Sequence, residues 1–173
     1  MHILSRFKLI KTFAFDMDGV LTDGSVFIDN KNNWLRRMSI KDGYALQLAI
    51  KAEFNVVVIS GSDSPEVKDR LTRLGIDDVY MKITDKEIFL KELASKKNWL
   101  LSEILYMGDD IPDYACMRIV GLAACPANAV SEIKEISSYI SPLSGGYGCV
   151  RDVIEKVLKL NNKWSLFTTT PST

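Results

Sequence analysis

A doubly wound α/β domain is the fold this sequence predicts, and three observations predict it. Its short apolar runs are continuous rather than alternating, as in strands covered on both faces. Each run is followed by residues with helical apolar spacing. Three of the runs lead straight into a polar residue able to do chemistry.

Taken in order, Thr12-Phe13-Ala14-Phe15 reads as a buried strand, followed by Asp16-Met17-Asp18-Gly19. Ser25 to Ser39 breaks the alternation, with an apolar triplet, a polar run from Asp29 to Asn33 and a return from Trp34 to Met38. This pattern predicts a β-hairpin inserted after the first strand. Ala45, Leu48, Ala49 and Ala52 share one helical stripe. Asn55 to Ile59 is the second buried strand and ends at Ser60-Gly61. Ser64 and Pro65 look like an N-cap and first helical residue, ahead of the stripe Val67, Leu71, Leu74. Val79 to Met81 predicts a third strand; Lys86 opens the next helix, striped by Phe89, Leu90, Leu93 and Ala94. Ile104 to Met107 predicts a fourth strand, leading to Gly108-Asp109-Asp110 and Asp113, and Val120 to Ala124 a fifth. Val150, Val153, Ile154, Val157 and Leu158 close the set. Core packing explains each stripe. The whole is a Rossmann-like parallel sheet with helices on both faces and no cap domain, expected to span residues 1–164. The Ser/Thr-rich residues 165–173 are expected to be a disordered tail.

Composition narrows the function. The 173 residues carry 22 basic and 22 acidic side chains, so nothing suggests electrostatic capture of nucleic acid or an anionic membrane. No apolar run approaches the length of a membrane span. Cys116, Cys125 and Cys149 form no C-x-x-C pair and read as reduced thiols of a cytoplasmic protein. The only histidine is His2, beside the start of the sequence, which argues against histidine-dependent hydrolysis and a histidine zinc site. Catalysis must run on carboxylates, Lys, Ser/Thr or Cys.

In an open parallel sheet, the site lies at the C-terminal ends of the strands, where strand order reverses. Asp16, Ser60, Lys86 and the Asp109 cluster are all delivered to that rim. Each motif alone has a plain structural alternative: a turn, an N-cap or a solvated lysine. Their order and placement together carry the argument.

The order D-x-D-G, S-G, Lys, G-D-D-x-x-D resembles the four motifs of haloacid-dehalogenase-like phosphatases. Gly19 to Gly24, Lys41-Asp42-Gly43, the hairpin between them, and Gly145 to Asp152 resemble the small phosphatases of 3-deoxy-D-manno-octulosonate 8-phosphate. This resemblance runs to about Trp164. It implies Mg²⁺ held by Asp16, Asp109 and the backbone carbonyl of Asp18, with Asp16 as nucleophile and Asp18 as general acid and base. Ser60, Gly61 and Lys86 would bind phosphate. Asp110 and Asp113 would orient Lys86 and metal-bound water from the second layer.

Nor do the intervals 18–60 and 60–86 leave room for a large cap. The hairpin is the element expected to shape the site, and the family implies a homotetramer whose hairpins complete neighbouring sites. For a sugar acid, Arg70 and Arg73 are candidate carboxylate partners. Gly145 and Gly146 are candidates for closing over the substrate. Two alternatives stand beside this reading: a phosphatase of a nine-carbon sugar acid 9-phosphate, and a non-catalytic scaffold or binding protein. Intact Asp16, Asp18, Lys86 and Asp109 disfavour the scaffold.

Overall fold

The computed structural model describes residues 2–164. The expected tail, 165–173, lies outside the described residues. The main sheet has six parallel strands: β1 (Thr12–Phe15), β4 (Asn55–Ile59), β5 (Asp78–Tyr80), β6 (Ile104–Met107), β7 (Leu122–Cys125) and β8 (Tyr139–Ile140). Their order is β5-β4-β1-β6-β7-β8. The chain builds outward from β1 on one side, then crosses back to add β6 on the other. The reversal therefore falls between β1 and β6, which pair in parallel from Thr12–Ile104 to Phe15–Met107. A crevice opens at such a point.

Two apolar layers hold the sheet, and strand alternation decides which residue faces which. Phe13, Phe15, Val56, Val58, Leu105 and Met107 point into one layer. There they meet α2 (Ile40–Lys51), α3 (Pro65–Arg73) and α7 (Cys149–Leu160). Ala14, Val57, Ile59, Ile104 and Tyr106 point into the other, against α4 (Lys86–Lys97), α5 (Tyr114–Ile119) and α6 (Ser131–Ile136). Burial of each large side chain contributes roughly 1.5–3 kcal/mol. Continuous apolar strands are what such a doubly covered sheet requires.

The hairpin forms as β2 (Phe27–Ile28) and β3 (Trp34–Leu35), paired antiparallel and separate from the main sheet. Asp29 organises its turn, accepting hydrogen bonds from the backbone N–H groups of Lys31 and Asn33. Apart from this hairpin, the intervals 18–60 and 60–86 hold only elements of the sheet and its covering helices.

Several elements depart from the sequence reading. The fifth predicted strand begins later, at Leu122, because Val120 terminates α5 and Gly121 turns to donate to the Leu101 carbonyl. Ser64 precedes α3 as expected, but its hydroxyl faces Glu66 instead of capping the backbone. The short helices α1 (Ile3–Lys8) and α6 and the edge strand β8 were not anticipated. Arg6 of α1 reaches the Gly121 carbonyl and the Ser138 hydroxyl, pinning that helix to the sheet's edge.

Candidate active site

The crevice is built from four strand ends. Asp16 follows β1 and its N–H donates to the Met107 carbonyl, continuing the pairing with β6 one residue past the strand. The chain then turns through a kinked helical segment, Met17–Leu21, with Asp18 extended and Gly19 at φ +91°. A side chain at Gly19 is excluded twice. The left-handed backbone disfavours it, and a Cβ there would lie 2.0 Å from Asp109 Oδ2. Glycine thus lets the β1 and β6 loops approach closely enough to bring Asp16 and Asp109 together.

Lys86, the first residue of α4, supplies the cation. Its Nζ donates to Asp16 Oδ1 at 2.5 Å and to Asp113 Oδ1 at 2.8 Å. All three side chains are more than nine-tenths buried. Asp113 has further partners: the Tyr106 hydroxyl at 2.8 Å and the Asp109 N–H at 3.1 Å. Carboxylate oxygens of Asp16, Asp109 and Asp113 lie within 4.8 Å of one another. Asp109 Oδ1 is buried with no hydrogen-bond partner.

These charges are not in balance. Burial, then the neighbouring Asp113 charge, lifts Asp16 to about 8 against the opposing pull of Lys86. Burial, with Asp113 and Asp110, lifts Asp109 to about 7. Burial draws the Lys86 ammonium down, but Asp113 and Asp16 outweigh it and the net direction is up. One lysine does not neutralise three crowded carboxylates. A second cation among them would remove the imbalance and give Asp109 Oδ1 a partner.

Asp18 lines the same crevice but has partners of its own. Arg36, from the base of the hairpin, donates from Nε to Asp18 Oδ1 at 2.7 Å, and the Ser62 hydroxyl donates to Oδ2 at 2.7 Å. Thr22 contacts Oδ1 at 3.3 Å and also accepts the Gly19 N–H, tying the turn together. Asp18, Ser60, Gly61, Lys86, Asp109 and Pro112 are among the walls of a crevice of about 310 Å³. Ser60 is buried and accepts the Ser62 N–H, which shapes the loop after β4. A concavity of about 490 Å³ beside α7 is larger. Its acidic residues are already paired along the helix, Asp152 with Lys156 and Glu155 with Arg151 and Lys159, so it offers no comparable chemistry.

Not every expected residue reaches the crevice in the expected way. Asp110 lines it, but its carboxylate caps the Ile111 N–H and makes no bond to Lys86; Asp113 holds the lysine. Arg73 is exposed and paired with Asp69 on the outside of α3. Gly145 and Gly146 pack on the turn after β1: a Cβ on Gly145 would lie 1.8 Å from the Gly19 carbonyl oxygen, and the Gly146 N–H donates to the Val20 carbonyl. They brace the Asp16 loop from behind. Arg70 lines a neighbouring cavity of about 340 Å³ with Trp34, Arg36 and Met38, and its Nε and Nη2 are buried without partners.

Comparison with known proteins agrees with this geometry. Residues 71–145 match the haloacid dehalogenase-like hydrolase family. Over 162 residues the chain is 30% identical to the 3-deoxy-D-manno-octulosonate 8-phosphate phosphatase of Salmonella typhi, covering 94% of this chain and 86% of the relative. The chain belongs to this phosphatase family. Among solved structures, the phosphatase of that name from Yersinia pestis superimposes with a TM-score of 0.90 at 29% identity, covering 93% of this chain and 87% of that one. The one from Moraxella catarrhalis, in complex with a magnesium ion, a phosphate ion and a KDO molecule, gives 0.90 at 32% identity, with 94% and 95% covered.

Four residues shape the site in ways that the sequence alone did not assign. Arg36 and Ser62 hold Asp18, Tyr106 holds Asp113, and the buried Asp42 accepts the Gly148 and Arg151 N–H groups at the start of α7. Tyr106 did leave a trace, as the sole hydroxyl in the run Ile104-Leu105-Tyr106-Met107. Arg36 left none, because Arg37 beside it has the same chemistry and instead donates to the Tyr147 hydroxyl.

Proposed function

We propose that this chain is a Mg²⁺-dependent phosphomonoesterase that hydrolyses 3-deoxy-D-manno-octulosonate 8-phosphate to the free sugar acid and phosphate. The observation that carries the proposal is the buried Asp16–Lys86 pair beside the half-buried Asp109, one of whose oxygens is left without a partner. Such a site suits a dianionic phosphoryl group only if a divalent cation shares it. The side chains of Asp16 and Asp109 and the backbone carbonyl of Asp18 would hold Mg²⁺. Asp113 lies in the same cluster, but its oxygens already serve Tyr106, Lys86 and the Asp109 N–H. The ion supplies charge neutralisation, letting one anion approach another.

The chain's own groups do the rest. Asp16 attacks phosphorus in line, forming an aspartyl-phosphate as the ester oxygen leaves. Asp18 gives that oxygen a proton, then takes one from the water that cleaves the acyl phosphate. Lys86, the Ser60 hydroxyl and N–H groups near Gly61 hold the phosphoryl oxygens as charge moves onto them. Arg70, with buried unpaired nitrogens beside Arg36, suits the carboxylate of a sugar acid.

The hairpin supports a proposal about assembly. Phe27, Ile28, Trp34 and Leu35 are all about half exposed or more, Phe27 at 68%. An apolar strand pair this open suits burial against other copies of the chain. We place it at the centre of a homotetramer in which hairpins complete neighbouring sites. A cytoplasmic location fits the three free, buried thiols. No helix among the described residues is long and apolar enough to cross a membrane.

Phosphate release from a panel of phosphorylated sugars and sugar acids tests the activity, with Mg²⁺ and with chelator. Selective, metal-dependent release from the eight-carbon sugar acid phosphate is expected. Preference for the nine-carbon substrate would keep the chemistry and move the substrate. No release from any member by folded protein would overturn the proposal.

A further inference from the structure

Tyr106 lies in the middle of the sheet, fully buried on the face covered by α4 and α5. A phenol there must find a partner, because an unpaired buried hydroxyl is costly. It donates to Asp113 Oδ1 at 2.8 Å, the same oxygen that receives Lys86 Nζ at 2.8 Å. The other Asp113 oxygen accepts the Asp109 N–H at 3.1 Å. Three donors from three parts of the fold therefore converge on one carboxylate whose side chain is 2% exposed. Water cannot replace any of them readily.

We propose that Tyr106 is a positioning residue for phosphoryl transfer: through Asp113, its hydroxyl sets where the Lys86 ammonium and the Asp109 backbone stand relative to Asp16. The donors around Asp113 compete. Lys86 divides its donors between Asp16 and Asp113. With Tyr106 present, Asp113 Oδ1 is shared, its carboxylate plane is fixed and its hold on the lysine is moderated. Without it, Asp113 binds the lysine as sole side-chain donor to that oxygen and can turn about its Cβ–Cγ bond. The ammonium is then drawn from Asp16 and the phosphoryl oxygens, and the Asp109 N–H loses its oriented acceptor. Displacements well under an ångström suffice to slow a reaction that depends on alignment.

This inference rests on the phosphatase reading, and the experiment separates the two. Tyr106→Phe keeps the ring and removes only the donor. With the preferred phosphate ester and saturating Mg²⁺, kcat should fall on the order of tenfold, with KM changed less than about threefold, as for loss of one hydrogen bond to a charged group. Inhibition by vanadate should weaken by a similar factor. In an Asp113→Asn background the further loss from Tyr106→Phe should shrink to less than about twofold, because the relay is already broken. A genetically placed 2,3-difluorotyrosine at position 106, which keeps both packing and donor, should retain activity near wild type. Wild-type kinetics in Tyr106→Phe would overturn the inference, as would an undiminished loss in the Asp113→Asn background or equal loss with the fluorinated residue. Absence of phosphate release by the wild type would sink the phosphatase reading, and this one with it.

Discussion

The catalytic crevice and the hairpin begin within a dozen residues of each other at the end of β1, and they obey opposite rules. The crevice buries charge: Asp16, Lys86 and Asp113 are each almost wholly enclosed. The hairpin exposes apolar surface, with Phe27 at 68% and Trp34 at 54%. One region holds groups that solvation would favour outside, the other shows groups that packing would favour inside. Neither arrangement lowers the free energy of an isolated, ligand-free chain. Both make sense if the molecule is completed from outside, by a cation and substrate in the crevice and by other copies at the hairpin. The Arg36–Asp18 ion pair is the physical link between the two regions.

Substitutions can break that comparison on either side. The largest effect is expected from Asp16→Asn, which keeps the shape of the nucleophile and removes its negative charge. Phosphate release should fall by about 10³-fold or more, with an unchanged circular dichroism spectrum. Gly19→Ala comes next. Its Cβ would overlap the Asp109 carboxylate, so the β1 and β6 loops must part, and kcat should drop by about 10²-fold in steady-state assays.

On the hairpin side, Phe27→Ser combined with Trp34→Ser should convert the proposed tetramer to monomers in sedimentation equilibrium. The core should be nearly undisturbed, since exposed substitutions usually change stability by no more than about 0.5 kcal/mol each. Lost stability without a change in mass would place those side chains within the subunit instead. Asp109→Asn sharpens the other side. Removing one of the crowded carboxylates should raise the melting temperature of the chelator-treated protein by a few degrees, at roughly 2–4 °C per kcal/mol for a chain of this size, while abolishing activity.

The smallest effect concerns Asp42, which burial lifts to about 6 despite its two backbone donors. Its folded pKa lies above the ordinary carboxylate value. The folded state therefore binds the proton more tightly, and stability contributed by that proton is lost as pH rises from roughly 4 to 6. Asp42→Asn should flatten this slope in urea titrations at pH 4.5 and pH 7.

What the sequence disclosed follows the same division. β1, β4 and β6 were legible because a strand buried on both faces must be apolar throughout. Asp16, Lys86 and Asp109 were legible because they stand where such strands, or the helix after one, begin or end. The division of labour between Asp110 and Asp113 was not legible, because nearby aspartates look alike in sequence and backbone geometry decides that Asp113 faces the lysine while Asp110 accepts the Ile111 N–H. Gly145 and Gly146 stood out in sequence as glycines, and the close approach they permit here is to the loop that follows Asp16. Arg36 was hidden because its partner Asp18 is distant in sequence and belongs to another element. The helix α1 was hidden because it is too short for periodicity and owes its place to tertiary contacts of Arg6 and Phe7. Alternation and spacing report burial; they do not report which neighbour fills a hydrogen bond.

In the proposed reaction Asp16 carries the phosphoryl group. Rapid acid quench of the enzyme with its preferred phosphate ester and Mg²⁺, followed by mass spectrometry of the peptide containing Asp16, tests it most directly. A transient phosphate on Asp16, absent with chelator and absent in Asp16→Asn, is the predicted result. Substrate turnover with no phosphate on that peptide at any quench time, under conditions that preserve acyl phosphates, would contradict the account.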